Sequence, residues 1–133
     1  DHVDNDELPV VYSSAGVVLN DHWETMRRWG FVSNRIFDVL ACGAPLVSDA
    51  LPEVTELFGD LVPTWETADQ LGRVVGELLA DPGTARVRAA EARRIVIDGH
   101  TFTHRAQQLE TLVTTLTRSD ANPVPGDRNP GPG

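Results

Sequence analysis

The residues best suited to chemistry lie between Asn20 and Asp49, in the run NDHWETMRRWGFVSNRIFDVLACGAPLVSD. Ser33 and Asn34 open a stretch with helical spacing, and both residue types are good N-caps. A helix start offers unpaired N–H groups and partial positive charge, which suits a phosphate. Arg35 adds a planar, permanently charged fork that matches phosphate oxygens. A cation at that end of a helix is unfavourable by roughly 0.3 kcal/mol or more, so an arginine there points to an anion that offsets it. Asp38 follows three residues later, one turn deeper on the same face. Its carboxylate can accept two hydrogen bonds from a ribose diol, as acids do in dinucleotide folds. Anion donors and a diol acceptor then stand about 5 Å apart along one helix. That is the layout of a nucleoside diphosphate.

Plainer readings of the same residues stand beside this one. Ser33 alone is an N-cap, and Arg35 with Asp38 is an i,i+3 surface pair worth about 0.3 kcal/mol. His22 alone is a neutral loop histidine. Trp23, Trp29 and Phe31 read as lid or core packing before they read as a stacking platform. Cys42 reads as a small buried residue on the inner face of the helix, not a nucleophile. His100 and His104 have i,i+4 spacing but no third ligand, so no metal site is assigned.

The elements that must position these residues alternate along the first half. Leu8 to Ala15 reads as a short helix stopped at Gly16. Val17-Val18-Leu19 is an apolar run typical of a buried parallel strand. Ser33 to Cys42 is a helix with Ile36, Phe37, Val39 and Leu40 on its apolar stripe and Gly43 as its stop. Pro45 to Ser48 is a second buried strand. Pro52 to Phe58 is a helix with proline in its first turn, and Leu61 to Pro63 is a third strand whose proline suits a sheet edge. Helices starting at Thr67, at Thr84 and after the cap Thr101 complete the chain, the last reaching about Leu116. Strand–helix alternation implies a parallel α/β sheet with crossover helices. The expected fold is a partial Rossmann-like domain, a short parallel sheet flanked by helices with a helical C-terminal part. Residues 1–7 are expected to be a frayed acidic end, 8–118 the folded part, and 119–133 a disordered tail rich in Pro and Gly.

Composition narrows the partners. The 133 residues carry 11 Lys+Arg against 20 Asp+Glu, a formal charge of −9. An acid surplus of that size argues against nucleic acid and against a polybasic membrane-surface helix. No apolar run approaches the ~20 residues of a transmembrane segment. The start DHVDNDE lacks the features of a signal peptide. One cysteine cannot form an internal disulfide, so a reducing cytoplasmic setting is the expectation.

The run from Tyr12 to Asp49 resembles the C-terminal donor-binding domain of GT-B glycosyltransferases, in the group-1-like branch that includes spore-maturation-type proteins. The matching pieces are Leu8 to Ala15, Val17 to Trp23, and Gly30 to Pro45 with its S-N-R-x-x-D-x-x-A-C-G core; His100 to Arg105 resembles that branch's closing motif. The resemblance covers most of Leu8 to about Leu116. It implies that Ser33, Asn34 and Arg35 bind the donor diphosphate and that Asp38 binds the ribose, in agreement with the residue chemistry. The wider family carries an E-x7-E motif. Asp38 falls at its second position, while its first falls on Gly30, which has no carboxylate. Asn20, Asp21, His22 or the Gly30 backbone are the candidates for the sugar or phosphate contact instead. Catalytic residues are not assigned.

The resemblance further implies a nucleotide sugar as donor substrate, no cofactor and no metal, and hexosyl transfer to an acceptor hydroxyl. A family donor domain begins with about two more strand–helix units, which accounts for a sheet thinner than the usual five or six strands. The chain thus reads as part of a donor domain that works against an N-terminal domain of the same protein, and alone it is expected to be inactive. The alternative is a non-catalytic or truncated Rossmann-like module for binding or assembly, favoured by Gly30 and the thin sheet. A flavodoxin-like regulatory domain fits less well, because Asn20-Asp21 is a poor acidic cluster and S-N-R is then unexplained.

Overall fold

The structure is a computed structural model; it describes residues 3–120, with side chains through residue 118. In chain order the elements are α1 (Leu8–Ser14), β1 (Val18–Asn20), α2 (Glu24–Trp29), α3 (Asn34–Ala41), β2 (Leu46–Asp49), α4 (Pro52–Phe58), β3 (Thr64–Trp65), α5 (Ala68–Ala80), α6 (Pro82–Gly99) and α7 (Phe102–Asp120). The three strands form one parallel sheet in the order β1-β2-β3, with Asn20 opposite Ser48 and Asp49 opposite Trp65. The expected α/β class, with helices on a short parallel sheet, is what forms.

The period-2 alternation of β2 sends its side chains to two different cores. Leu46 packs with Ile36, Val39 and Leu40 of α3, with Val54 and Phe58 of α4, and with Ala92 and Val96 of α6. Val47 points the other way, against Leu78 of α5 and Ala85, with Val17, Trp65, Leu71 and Val74 around them. The central strand is therefore covered on both faces, which is why β2 is buried along its whole length, while Leu19 of the edge strand β1 is exposed where a buried strand was expected. The alanines of α6 find their reason here. Ala85, Ala89, Ala92 and Val96 recur at helical spacing and are all buried, so α6 lies close against α3.

The termini of α3 are fixed by local chemistry. At its end Gly43 takes φ +71°, and its N–H bonds the Leu40 carbonyl while that of Ala44 bonds Val39. This pair of bonds is a Schellman closure, and it needs the glycine. Arg93 of α6 donates from Nε to the Ala41 carbonyl at 2.8 Å, satisfying another orphan acceptor.

Some expectations shift. The third strand lies at Thr64–Trp65, after the proline, because 59–61 wind into a 3-10 turn. It does occupy a sheet edge. The helix expected from Thr84 already starts at Pro82, capped by Asp81. Glu7 N–H bonds the Asp4 carbonyl and Leu8 N–H the Asn5 carbonyl in the turns that lead into α1. Helix α7 runs through Asp120, into the stretch expected to be tail; 121–133 lie outside the described residues. The described residues fall into two compact units, 3–100 and 101–120. Within the second, Phe102, Leu109, Leu112 and Leu116 are all exposed.

The Asp81 cap carries a pH consequence. Its side chain accepts from Thr84 N–H at 3.0 Å, and hydrogen bonding from the Thr84 side chain first, and then from its backbone N–H, holds the carboxyl below the ordinary value. A group depressed on folding contributes stability above its unfolded pKa, near 3.9, and loses it as pH falls through the folded value. Melting curves of the parent and Asp81→Ala are expected to differ at neutral pH and to converge in acid.

Candidate functional site

The carboxyl ends of β1 and β2 lie side by side, and four buried polar residues meet there. Asn20, His22, Ser48 and Asp49 are each at most 6 % exposed. Buried polar groups at such a depth must find partners, and these find one another. Asn20 Nδ2 donates to Ser48 Oγ at 3.1 Å, across the register pair. Ser48 Oγ donates to Asp49 Oδ1 at 3.2 Å. Asp49 Oδ1 stands 2.6 Å from His22 Nδ1. His22 Nε2 lies 3.1 Å from the backbone N–H of Ser33.

The tautomer follows from that last bond. A backbone N–H can only donate, so Nε2 is the acceptor and the proton sits on Nδ1, pointing at Asp49. Both nitrogens of His22 are thereby used within the protein. The role this geometry gives His22 is to tie the start of α3 to the ends of two strands.

The start of α3 has no side-chain cap, which is also true of α1, α2 and α4. Ser33 occupies the N-cap position, yet its hydroxyl makes no cap hydrogen bond. Its N–H goes to His22, and the Ile36 N–H goes to the Ser33 carbonyl. Among the described residues the N–H groups of Asn34 and Arg35 have no acceptor. Asn34, Arg35 and Asp38 are exposed, and Arg35 and Asp38 form no ion pair with each other. Neither the side-chain cap nor the surface pair is therefore made. What remains is an outward-facing helix start with a free hydroxyl, two N–H groups and a guanidinium, and a carboxylate one turn below. Asp21, which precedes His22 in the chain, is exposed.

Helix α2 is an element that sequence patterning does not reveal. It has six residues and buries none of them, so it carries no apolar stripe. Trp23 is 80 % and Trp29 70 % exposed, with Phe31 also exposed. These aromatics are surface groups and not core; Arg28 lies over the Trp29 ring at 5.7 Å. Arg27 reaches back to Asp49 Oδ2 at 3.6 Å. That distance leaves this buried oxygen without a hydrogen bond, and Glu53 Oε2 shares the condition.

Gly30 ends α2 in the left-handed conformation at φ +65°. A Cβ at Gly30 would stand 2.2 Å from Glu53 Oε1. The space that a side chain at this position needs is thus taken by a carboxylate delivered from α4. Gly30→Ala is expected to cost about 1–2 kcal/mol from the left-handed backbone alone and to push the Glu53 carboxylate outward; urea melts and a crystal structure of the variant check both.

Cys42 is half-buried beside a groove, not on the inner face of α3. His104 bonds Thr101 within its own turn. Among the described residues no group of three metal-ligating side chains comes together, and no helix is long and apolar enough to cross a membrane.

Asp49 and Glu53 had no role assigned from sequence. The available signal was Asp49 itself, a carboxylate at the end of the buried strand Leu46–Asp49, which burial obliges to pair.

A protein-family model described as glycosyl transferase-like matches residues 1–111. No curated protein and no solved structure gives a significant match.

Proposed function

Because the chain belongs to the glycosyl transferase-like family, we propose that it is the nucleotide-sugar-binding part of a GT-B enzyme. The reaction would transfer a hexosyl group from a nucleoside-diphosphate sugar to an acceptor hydroxyl. The bond from the anomeric carbon to the diphosphate breaks as the acceptor oxygen bonds that carbon, and the hydroxyl proton is released to solvent. The leaving diphosphate then carries the developing charge.

The single observation that supports this reading is the unfilled start of α3. Its Asn34 and Arg35 N–H groups have no acceptor among the described residues, while His22, bonded to Asp49, accepts from the Ser33 N–H and ties the helix start to the strand ends. Preorganised donors of this kind stabilise a charged leaving group without reorganising. The Arg35 guanidinium and the Ser33 hydroxyl add to them. Asp38 accepts from the ribose diol. Positive charge from the protein serves where other transferases use a metal, so the proposed donor site needs neither metal nor cofactor.

The acceptor and the remaining wall of the cleft come, in this reading, from an N-terminal domain of the same protein. The free thiol of Cys42 suits a cytoplasmic setting. The non-catalytic alternative is favoured by Gly30, where the motif carboxylate is absent. Calorimetry with UDP, GDP and their sugars separates function from none: binding of a nucleoside diphosphate supports the donor-site reading, and no binding of any overturns it.

A further inference from the structure

His22 stands where its charge decides whether a hydrogen bond exists. Its side chain is fully enclosed. Nε2 lies 3.1 Å from the Ser33 N–H, and a backbone N–H can only donate. The bond therefore forms only while Nε2 carries no proton. A neutral imidazole meets that condition. An imidazolium does not, because it is a donor at both nitrogens.

Protonation leaves the other contact in place. Asp49 Oδ1 stands 2.6 Å from Nδ1 and accepts from it in either state, more strongly from the charged ring. The carboxylate holds the ring while a proton on Nε2 points at the Ser33 N–H. Two donors then face each other across 3.1 Å, and neither has an acceptor, a state buried polar groups do not keep. Turning the ring over brings no relief, because a charged ring presents a donor at each position. Of the two partners, Asp49 ends a strand buried along its length, whereas Ser33 is half-buried at a helix start without a side-chain cap. Ser33 is the partner that yields.

We propose that His22 positions the start of α3 only in its neutral form, so that protonation of the ring releases Ser33 and weakens anion binding at that helix start. The inference rests on the donor-site reading above and adds its dependence on pH.

The charges around the ring fit this role. Among the described residues Asp49 of β2 is the acid paired with His22. Arg27 of α2 stands 3.6 Å from the other oxygen of that carboxylate. It competes with a charged ring for Asp49 and so opposes protonation. Asp21, next to His22 in the chain, and Arg35, in the first turn of α3, are exposed, where water and salt screen their charge.

The direction of the effect separates the proposal from plain electrostatics. A histidinium near an anion attracts it, and Coulomb attraction alone predicts tighter binding in acid. Here the added charge is enclosed and already paired with Asp49. The N–H groups of α3 meanwhile lose the fixed position on which their effect depends. Acid therefore weakens binding.

The test uses the full chain without substitution. The ring nitrogens of His22 and the amide of Ser33 are followed by NMR from about pH 8 to about pH 5, the range in which histidine serves as a switch. As Nε2 gains its proton, the Ser33 amide is expected to shift with the same midpoint. Its exchange with solvent is expected to quicken about tenfold or more, the worth of one lost hydrogen bond. Inorganic sulfate, whose charge is constant over this range, is titrated by calorimetry at fixed ionic strength, and its affinity is expected to fall about tenfold towards acid. A Ser33 amide that stays unmoved while Nε2 is protonated, a ring that stays neutral down to the pH at which the chain unfolds, or sulfate binding that holds or tightens in acid overturns the proposal while the donor site stands. Failure of both sulfate and pyrophosphate to bind at neutral pH overturns the donor-site reading and the proposal with it.

Discussion

His22→Ala is expected to lower the unfolding free energy by about 2–4 kcal/mol, the combined effect of a lost hydrogen bond to a charged group and a buried void. The ring is buried and bonds at both nitrogens. Its removal leaves Asp49 Oδ1 with only the Ser48 hydroxyl, and Asp49 Oδ2 already lacks a hydrogen bond. It also leaves the Ser33 N–H without its acceptor. A shift of the urea midpoint at unchanged slope checks the value. A second effect follows if His22 holds the α3 start in place. Leu40→Ala, a fully buried change in the same helix, is expected to destabilise by a similar ~2–5 kcal/mol. Only His22→Ala should also weaken nucleotide binding. Equal affinities in the two variants would mean that His22 is a packing residue and nothing more.

Arg35→Ala and Asp38→Ala are expected to separate two parts of one ligand. Arg35 presents a guanidinium at the helix start with no ion pair among the described residues. A charge-assisted contact is worth about 1.5–3 kcal/mol, so its loss should weaken both pyrophosphate and a nucleoside diphosphate by roughly 10–100-fold. Asp38 touches only the ribose in this account. Its removal should weaken the nucleoside diphosphate by about tenfold or more. Pyrophosphate should bind Asp38→Ala as well as the parent or better, because a neighbouring negative charge is gone. Both residues are exposed, so neither variant should disturb the fold, and calorimetry of the four combinations reads the result. Loss of pyrophosphate binding in Asp38→Ala would break the assignment of ribose to that residue.

The strand–helix order and helix α3 were legible in the sequence for definite reasons. Leu46 and Val47 mark β2, which is buried throughout, whereas the run Val17 to Leu19, expected to be a buried strand, became the edge strand Val18–Asn20 with Leu19 51 % exposed. Ile36, Val39 and Leu40 recur at helical spacing and form the buried stripe of α3. Gly43 marks the helix end because only glycine takes φ +71° easily. What escaped lacks a local signal. Helix α2 buries nothing, so it imposes no periodicity on Glu24 to Trp29. The pairing of His22 with Asp49 spans 27 residues and depends on the β1–β2 register, which no window of sequence contains. The same is true of Glu53 filling the space at Gly30. The position of β3 moved because the 3-10 turn at 59–61 used residues that looked like strand.

The central claim is that the start of α3 receives a diphosphate. Titration of isotope-labelled protein with pyrophosphate, followed amide by amide in NMR spectra, tests it most directly. The account predicts that the largest shifts fall on the N–H groups of Asn34 and Arg35, with a smaller response at Ser33 because its N–H stays with His22. Shifts centred on any other part of the chain, with Asn34 and Arg35 unmoved at saturation, would contradict it.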